Sequence, residues 1–405
     1  MDCRPEADPP RPPTLLGLTF GFLSMLGPFA IDFYLPALPT IARELRCTPA
    51  LAQLTLAIFF LALAFGPSLY GPLSDRVGRL PLLYAALVMF LFGSLLCVIA
   101  PNIEWLIGAR FIQGLGGCGT TVLARAMIRD VSRGHAAARL LARAFLVQGI
   151  SPLLAPVLGG ALLHYMSWRW LFVVIGTLAV IAAGLAASIL AETHPSARRL
   201  APSRYSFWRS YEHLLGNRRF MAMSFVAGSS TAGAFAFLTT LPFILAHQYG
   251  FESTAIGAIV ALVAGSQIIF TQLCPRLLRH WGFEDYLTRV TTAGLALAAT
   301  FGTAAAVSST GVAAFVAIVA GLFGTYGLLL TPGAVGALDA APNEGGAASA
   351  LLGTLQLLCA AAASMLLSAA PAGALWPAAL ATCVCTGAAA GAAWLARQPQ
   401  GSRPG

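Results

Sequence analysis

The chain has 405 residues, of which 58% are hydrophobic and only 10% are charged, and its formal net charge is +9. This composition excludes a soluble protein, because so few charged residues cannot cover a water-facing surface of ordinary polarity. The net charge does not indicate a nucleic-acid-binding patch either, because the basic residues, all of them arginine, are spread over alternate loops.

Residues 1–13 are rich in proline and carry three acidic residues, which is not the composition of a cleaved signal peptide. We therefore predict a cytoplasmic N-terminal tail. Apolar segments of about 20 residues, long enough to cross a bilayer as helices, then recur along almost the whole chain. The first six predicted spans are Thr14–Ala37, Leu51–Gly71, Leu80–Ala100, Ile103–Ala124, Leu141–Leu163 and Trp168–Ala191.

The longest polar stretch, residues 192–219, divides the chain near its midpoint. We predict that it is a cytoplasmic linker between two six-helix bundles, at 14–191 and 220–396, and that 397–405 form a cytoplasmic C-terminal tail. This topology places most of the arginines on the cytoplasmic side, as the positive-inside rule requires. Two such bundles are the layout of transporters that rock around a midplane site. The last six predicted spans are Phe220–Ala246, Thr254–Cys274, Leu287–Val307, Gly311–Gly333, Gly346–Ala369 and Ala374–Ala396.

The sequence contains no signature of an enzyme or of an ATP-driven pump. Residues Gly114 to Gly119 match the G-x-G-x-x-G dinucleotide pattern, but they lie inside a predicted span without a preceding strand, so close helix packing is the better explanation. A chain without lysine cannot hold a Walker A phosphate loop. The histidines and cysteines lack zinc-ligand spacing, and no hydrolase motif is present. We therefore expect a protein that is not an enzyme and holds no metal or cofactor.

Asp32 is the one carboxylate that this assignment leaves inside a span, since the other acidic residues fall in tails, loops or span ends. An ionisable group at this depth costs several kcal/mol unless it is paired or hydrated, so such residues usually line a cavity or relay protons. We therefore predict that Asp32 couples transport to the proton gradient. The alternative is that Asp32 caps a helix break, because Pro28 and Pro36 flank it and free backbone groups that need partners.

Arg110 is the one basic residue inside a predicted span. Both Arg110 and Asp32 lie about 8 to 10 Å inside the outer boundary, at 1.5 Å per helical residue. We hypothesise that they face the same cavity, where the cation favours the charged carboxylate and opposes the desolvation that would protonate it. The alternative is that Arg110 is a purely structural tie between helices.

The loop between the second and third predicted spans is the strongest motif, Gly71-Pro72-Leu73-Ser74-Asp75-Arg76-Val77-Gly78-Arg79-Leu80. It closely resembles the cytoplasmic loop motif of the major facilitator superfamily. The resemblance implies a gate latch that favours the outward-facing state, and the alternative is a loop that only anchors topology. We expect Gly71 and Gly78 to permit a tight turn. Arg76 and Arg79 would keep the loop in the cytoplasm, and Asp75 would face the N-terminus of a neighbouring helix.

Two further motifs resemble the same superfamily. The fourth predicted span contains Arg110-Phe111-Ile112-Gln113-Gly114, similar to a fourth-helix motif whose arginine is associated with proton transfer. The fifth resembles the motif of the antiporter branch, in the form that is typical of the bicyclomycin and chloramphenicol resistance (Bcr/CflA) subfamily, in which alanine replaces the glycine before the proline. In physical terms, this motif combines a proline kink with glycines that allow tight helix packing. The residues assigned to this motif are Pro152, Pro156, Gly159 and Gly160.

Further segments similar to that subfamily are Ile31–Pro39, Ser167–Phe172 and Gly346–Gly353, so the resemblance extends over about Leu16 to Trp394. It implies an all-α membrane protein with the twelve-helix major facilitator fold. It also implies proton-coupled multidrug efflux, a drug:H+ antiport that needs no ATPase subunit. The expected location is the bacterial inner membrane, with both termini in the cytoplasm and the protein acting as a monomer.

A drug cavity needs aromatic and amide side chains near the middle of central helices. The absence of a second embedded acid favours neutral or monocationic apolar cargo. One alternative is export of an endogenous metabolite, a sugar or nucleoside, by the same fold. Another is a non-transporting receptor or scaffold, which leaves Asp32 and the loop motif unexplained. The cavity residues predicted by depth are Tyr34, Phe60, Phe235, Tyr326 and Gln356.

Overall fold

The computed structural model of the protein describes residues 14–132, 134–194, 204–307, 311–369 and 375–397. Over these ranges the chain forms 14 α-helices and two short 3-10 turns. The predicted tail at 1–13, all but the first residue of the tail at 397–405, and residues 195–203 of the predicted linker lie outside the described residues.

Seven helices precede the predicted linker, one lies within it and six follow it. The first seven are α1 (Thr14–Asp32), α2 (Leu38–Glu44), α3 (Pro49–Val77), α4 (Arg79–Val98), α5 (Ile103–Val131), α6 (Gly134–Tyr165) and α7 (Arg169–Ile189). The linker contains α8 (Arg204–Gly216). The last six are α9 (Arg218–Tyr249), α10 (Ser253–Trp281), α11 (Phe283–Val307), α12 (Val312–Asp339), α13 (Gly345–Ser368) and α14 (Leu375–Arg397).

Each predicted span corresponds to one long helix, so the described residues contain twelve helices of 19 or more residues. Ten helical segments are long and apolar enough to cross a membrane, with α1 and α2 counted as one segment. The two long helices outside this set are α5 and α11. The polar side chains of Arg110 and Gln113 lower the hydropathy of α5, which packs against α3 and α4. The number of twelve membrane crossings therefore stays a prediction.

The first predicted span is broken near its outer end. Helix α1 ends at Asp32, a 3-10 turn follows at Leu35–Ala37, and α2 begins at Leu38. Proline has no amide hydrogen, so Pro36 cannot donate the hydrogen bond that would continue α1. Asp32 is therefore the last residue of its helix, at the end where the unpaired carbonyl groups carry partial negative charge.

The helices before and after the linker meet along two seams. In one seam α3 packs on α13, and Thr354 donates a hydrogen bond of 3.1 Å to the carbonyl of Ala64. In the other seam α6 packs on α10, where a side chain at Gly257 or Gly160 would overlap backbone carbonyl atoms of the facing helix. Such close backbone approach is how helices gain packing energy in a lipid environment.

The linker helix α8 contacts both sides of the molecule. The hydroxyl of Tyr211 lies 3.5 Å from that of Ser68 on α3. His213 Nδ1 lies 3.0 Å from the carboxylate of Glu344, which precedes α13. The polar break that the sequence predicts as a linker thus contains an ordered helix that contacts α3 and the segment before α13.

Candidate proton and substrate site

Asp32 is buried, with 7% of its surface exposed, at the C-terminal end of α1. The hydroxyl of Ser151 on α6 donates a hydrogen bond of 3.1 Å to Asp32 Oδ2. Among the described residues, no basic group lies within 4.0 Å of this carboxylate. The environment therefore offers an ionised Asp32 one hydroxyl donor and no counterion.

Arg110 is fully buried on α5 and is surrounded by aromatic rings. Its guanidinium carbon lies 4.0 Å from the ring centre of Phe59, 4.7 Å from that of Tyr34 and 5.9 Å from that of Phe172. Nη1 donates hydrogen bonds of 2.6 Å to Gln113 Oε1 and 3.4 Å to the carbonyl of Ala30. The guanidinium is thus surrounded by aromatic faces, which attract a cation, and by neutral acceptors, with no carboxylate within 4.0 Å among the described residues.

Gln113 belongs to the fourth-helix motif, but sequence reasoning assigned it no role. Its side chain accepts a hydrogen bond from Arg110 and donates another, of 2.8 Å, to the hydroxyl of Ser94 on α4. The signal that could have found it is the spacing of three residues on one helix, which puts Gln113 on the same face as Arg110.

Asp32 and Arg110 lie at a similar depth but do not form an ion pair. The contact of Arg110 with the carbonyl of Ala30, two residues before Asp32, agrees with the predicted equal depth. The carboxylate of Asp32 instead bonds to α6, and the guanidinium of Arg110 stacks on rings from α3 and α7. That both face one cavity stays a prediction.

The turn of the loop motif lies at Gly78, and the expectation for Gly71 was wrong. Gly78 connects α3 to α4 with φ 109° and ψ 160°, a conformation that is essentially confined to glycine. Gly71 lies inside α3, because its segment continues as helix through Pro72 up to Val77.

Arg79 connects the residues of the loop motif through its guanidinium group. Its guanidinium lies 2.7 Å from Asp75 Oδ1 and 3.0 Å from Asp130 Oδ2, and it also donates to the hydroxyl of Ser74. Arg76, by contrast, is exposed to solvent. Asp130 lies at the end of α5, so the loop is tied to a third helix through Arg79.

In this region Glu192 binds the N-terminus of a helix, a role that the sequence predicted for Asp75. Glu192 follows α7 and accepts hydrogen bonds from the backbone amides of Arg79 (3.0 Å) and Leu80 (3.2 Å), the first residues of α4. Such a carboxylate satisfies unpaired amides and complements the helix dipole. Asp75 remains largely exposed and pairs with Arg79.

We expect Gly78→Ala to lower the free energy of unfolding by about 1 to 3 kcal/mol, because alanine rarely adopts this backbone conformation. The matched control is Gly71→Ala in the same motif, where a Cβ would meet open space. That change should be neutral or slightly stabilising, by about 0.5 to 1 kcal/mol, because alanine favours helix. Thermal melting of the two purified variants in detergent measures both effects, and equal melting temperatures would contradict the prediction.

The antiporter-motif residues lie on α6 at its contacts with two other helices. Pro152 and Pro156 lie inside the helix, one turn apart. A side chain at Gly159 would overlap the carbonyl of Phe33, the residue after Asp32, and one at Gly160 would overlap the carbonyl of Ser253. The motif therefore allows α6 to approach the end of α1 on one side and α10 on the other.

The predicted cavity residues are not brought together into one group. The ring centres of Phe60 on α3 and Phe235 on α9 lie 4.6 Å apart, across the interface of the two predicted bundles. Tyr34 is instead fully buried, and its hydroxyl lies 2.9 Å from that of Thr55. Tyr326 packs its hydroxyl against Gly233 of α9, and Gln356 is partly buried on α13.

A bundle of long apolar helices with a lone buried carboxylate and a buried guanidinium in its described residues defines a multi-pass membrane transporter rather than an enzyme. The chain belongs to the Major Facilitator Superfamily, whose sequence profile matches residues 20–364.

Two curated bacterial proteins are similar over most of their length. The MFS-type transporter YdgK of Bacillus subtilis is 32% identical over 356 residues, which cover 85% of this chain and 86% of that protein. The bicyclomycin resistance protein homolog of Haemophilus influenzae is 28% identical over 339 residues, covering 84% and 85%. The predicted relationship to the Bcr/CflA subfamily is thereby confirmed.

A solved structure supports the fold. The crystal structure of the nucleoside transporter NupG superposes with a TM-score of 0.72 at 14% identity, covering 94% of this chain and 98% of that one. The major facilitator fold predicted from the motifs is therefore confirmed.

Proposed function

We propose that the protein is a drug:H+ antiporter that exports small apolar compounds, neutral or monocationic, across the bacterial inner membrane by alternating access. The observation that carries this proposal is Asp32, a buried carboxylate at the end of a membrane helix. The similarity to a bicyclomycin resistance protein homolog supports a drug as the cargo.

Asp32 has the environment of a group that exchanges a proton. An ionised carboxylate at this depth costs several kcal/mol, and the negative end of the α1 dipole opposes the charge further. The single hydrogen bond from Ser151 offsets part of that cost. Proton binding removes this charge. When the site opens to the other side of the membrane, where the proton concentration differs, the fraction of Asp32 that carries a proton changes.

The chemistry of the chain favours apolar cargo. Phe60 and Phe235 meet between the two predicted bundles, where alternating access opens a path for cargo. Among the described residues, Asp32 is the one carboxylate that is buried, so no second acid in that set would balance a dication. A single carrier also limits the exchange to one proton per cycle.

We further propose that both termini lie in the cytoplasm and that the proton gradient alone drives transport. In this proposal the partners are the lipid bilayer, protons and the drug, without nucleic acid or an ATPase subunit, and the protein works as a monomer. The ion-paired loop around Arg79 would act as the predicted gate latch.

The test uses inverted membrane vesicles that contain the protein and a pH-sensitive dye. We expect apolar drugs from a compound panel to collapse an imposed proton gradient, and vesicles without the protein not to respond. The panel includes sugars and nucleosides. A response to these alone would favour a metabolite exporter, and a response to no compound would contradict coupled transport.

A further inference from the structure

Ser151 is the hydrogen-bond partner of Asp32, and the proposed function gives it no role in the transport cycle beyond stabilising the charge. It lies on α6, is 1% exposed, and points its hydroxyl at Asp32 from 3.1 Å. Serine inside a helix commonly bonds to a carbonyl of the preceding turn, as Ser94 does with Phe90. The hydrogen bond that the structure gives the Ser151 hydroxyl goes to a carboxylate of another helix.

The position of Ser151 on α6 connects the proton site to the seam between α6 and α10, here called the outer seam because its contacts lie at the predicted outer ends of both helices. Pro156 and Gly160 follow on the same helix, and their backbones contact Gly257 and Ser253 of α10. Thr254 also donates a hydrogen bond of 3.4 Å to the carbonyl of Gly160. Helix α6 therefore contacts the Asp32 carboxylate through Ser151 and helix α10 of the opposite bundle through Pro156 and Gly160.

We propose that Ser151 is a positioning residue of the proton site: it holds the ionised Asp32 carboxylate and ties the end of α1 to the helix that closes the outer seam. This inference rests on the proposed function, because it assigns a role to Ser151 only if Asp32 carries the proton.

The hydrogen bond between Ser151 and Asp32 is strong when Asp32 is ionised and weaker when Asp32 is protonated. A hydroxyl that donates to an ionised carboxylate makes a charge-assisted hydrogen bond, about twice as strong as one between neutral groups. When a proton from the outer water binds Asp32, that bond weakens and α1 is held less tightly to α6. When the proton leaves to the cytoplasm, the tie forms again.

No charged or titratable group competes with Ser151 among the described residues. Arg110 contacts the carbonyl of Ala30, and Tyr34 bonds to Thr55. None of the titratable groups of α6, which are His135, Arg139, Arg143, His164 and Tyr165, bonds to Asp32. The other titratable groups at the outer ends of the neighbouring helices are Arg43, Glu44, Arg46, Cys47, Cys97, Glu104, His164, Tyr165, Arg169, His247, Tyr249 and Glu252.

The experiment measures drug-dependent proton movement in vesicles as a function of pH. Ser151→Ala removes the bond that favours the ionised form, so Asp32 should release its proton only at higher pH. We expect the half-maximal pH to rise by about one unit, a tenfold change in proton affinity. Ser151→Thr keeps the hydroxyl and should restore the native profile. The control Ser364→Ala removes a fully buried hydroxyl of α13 that has no hydrogen-bond partner among the described residues, and should not move the profile.

The outcomes separate this inference from the proposed function. If the native protein moves no protons, or Asp32→Asn still does, the proposed function fails. If coupling depends on Asp32 but Ser151→Ala keeps the native profile, the positioning role of Ser151 is wrong. Should Ser151→Ala not fold, Ser151→Cys replaces the hydroxyl with a weak donor of similar shape, and an unchanged profile in that variant would overturn the proposal.

Discussion

Asp32→Asn is expected to reduce drug-dependent proton movement to the level of vesicles without the protein. The amide matches the shape of the protonated carboxyl group but cannot release a proton, so the cycle has no carrier. The variant should still fold and bind drug, because an uncharged group at this buried position costs less than the ionised one. Vesicle proton flux and direct drug binding to the purified variant measure the two parts separately.

The matched control is Glu104→Gln, which neutralises an exposed acid near the outer end of α5. That variant should retain coupling. Full coupling in Asp32→Asn would remove this carboxylate from the mechanism and leave its alternative role, a cap of the helix break, as the explanation. A measured stoichiometry of two protons per drug would contradict a single carrier.

The second large effect is expected at Gly116, on the face of α5 that packs against α4. A Cβ there would overlap the backbone nitrogen of Phe90 and lie 2.7 Å from the carbonyl oxygen of Ala86. Backbone atoms cannot move aside as a flexible side chain can, so Gly116→Ala should destabilise the protein by about 1 to 3 kcal/mol or more. The loss should appear as a lower yield of monodisperse protein and a lower melting temperature.

Gly108→Ala is the matched control for Gly116, because it lies on the same helix and a Cβ there would meet no atom within 4 Å. It should be neutral or slightly stabilising, since alanine has the higher helix propensity. Equal melting temperatures for the two variants would show that α4 and α5 are not packed as closely as described.

Hydropathy and charge alone predicted where the long helices lie, and the motifs predicted the fold that these helices form. The positions of the twelve long helices follow from the apolar segments, because each must satisfy its own backbone hydrogen bonds in lipid. The burial of Asp32 and Arg110 also follows, because both lie inside their apolar segments rather than in the loops. The break after Asp32 could also be predicted, because Pro36 lacks the amide hydrogen that would continue the helix.

The contacts of the site could not be predicted, because they depend on how each helix is rotated about its axis. Depth placed Tyr34 and Phe60 in one group, yet Tyr34 packs under Arg110 and Phe60 meets the opposite bundle. The bond between Ser151 and Asp32 joins residues that are far apart in the sequence, and no local pattern marks it. Gly71 was assigned to a turn because glycine has the conformational freedom that a tight turn needs, but membrane helices tolerate glycine in their interior.

The aromatic enclosure of Arg110 has a consequence for charged cargo. With Asp32 ionised, its charge compensates that of Arg110. Once Asp32 is neutral, the Arg110 guanidinium has no anionic partner within 4.0 Å among the described residues. Electrostatic forces reach further in a low-dielectric interior than in water. Arrival of the proton would therefore repel a cationic passenger outward, so that electrostatics as well as geometry would give the export its direction.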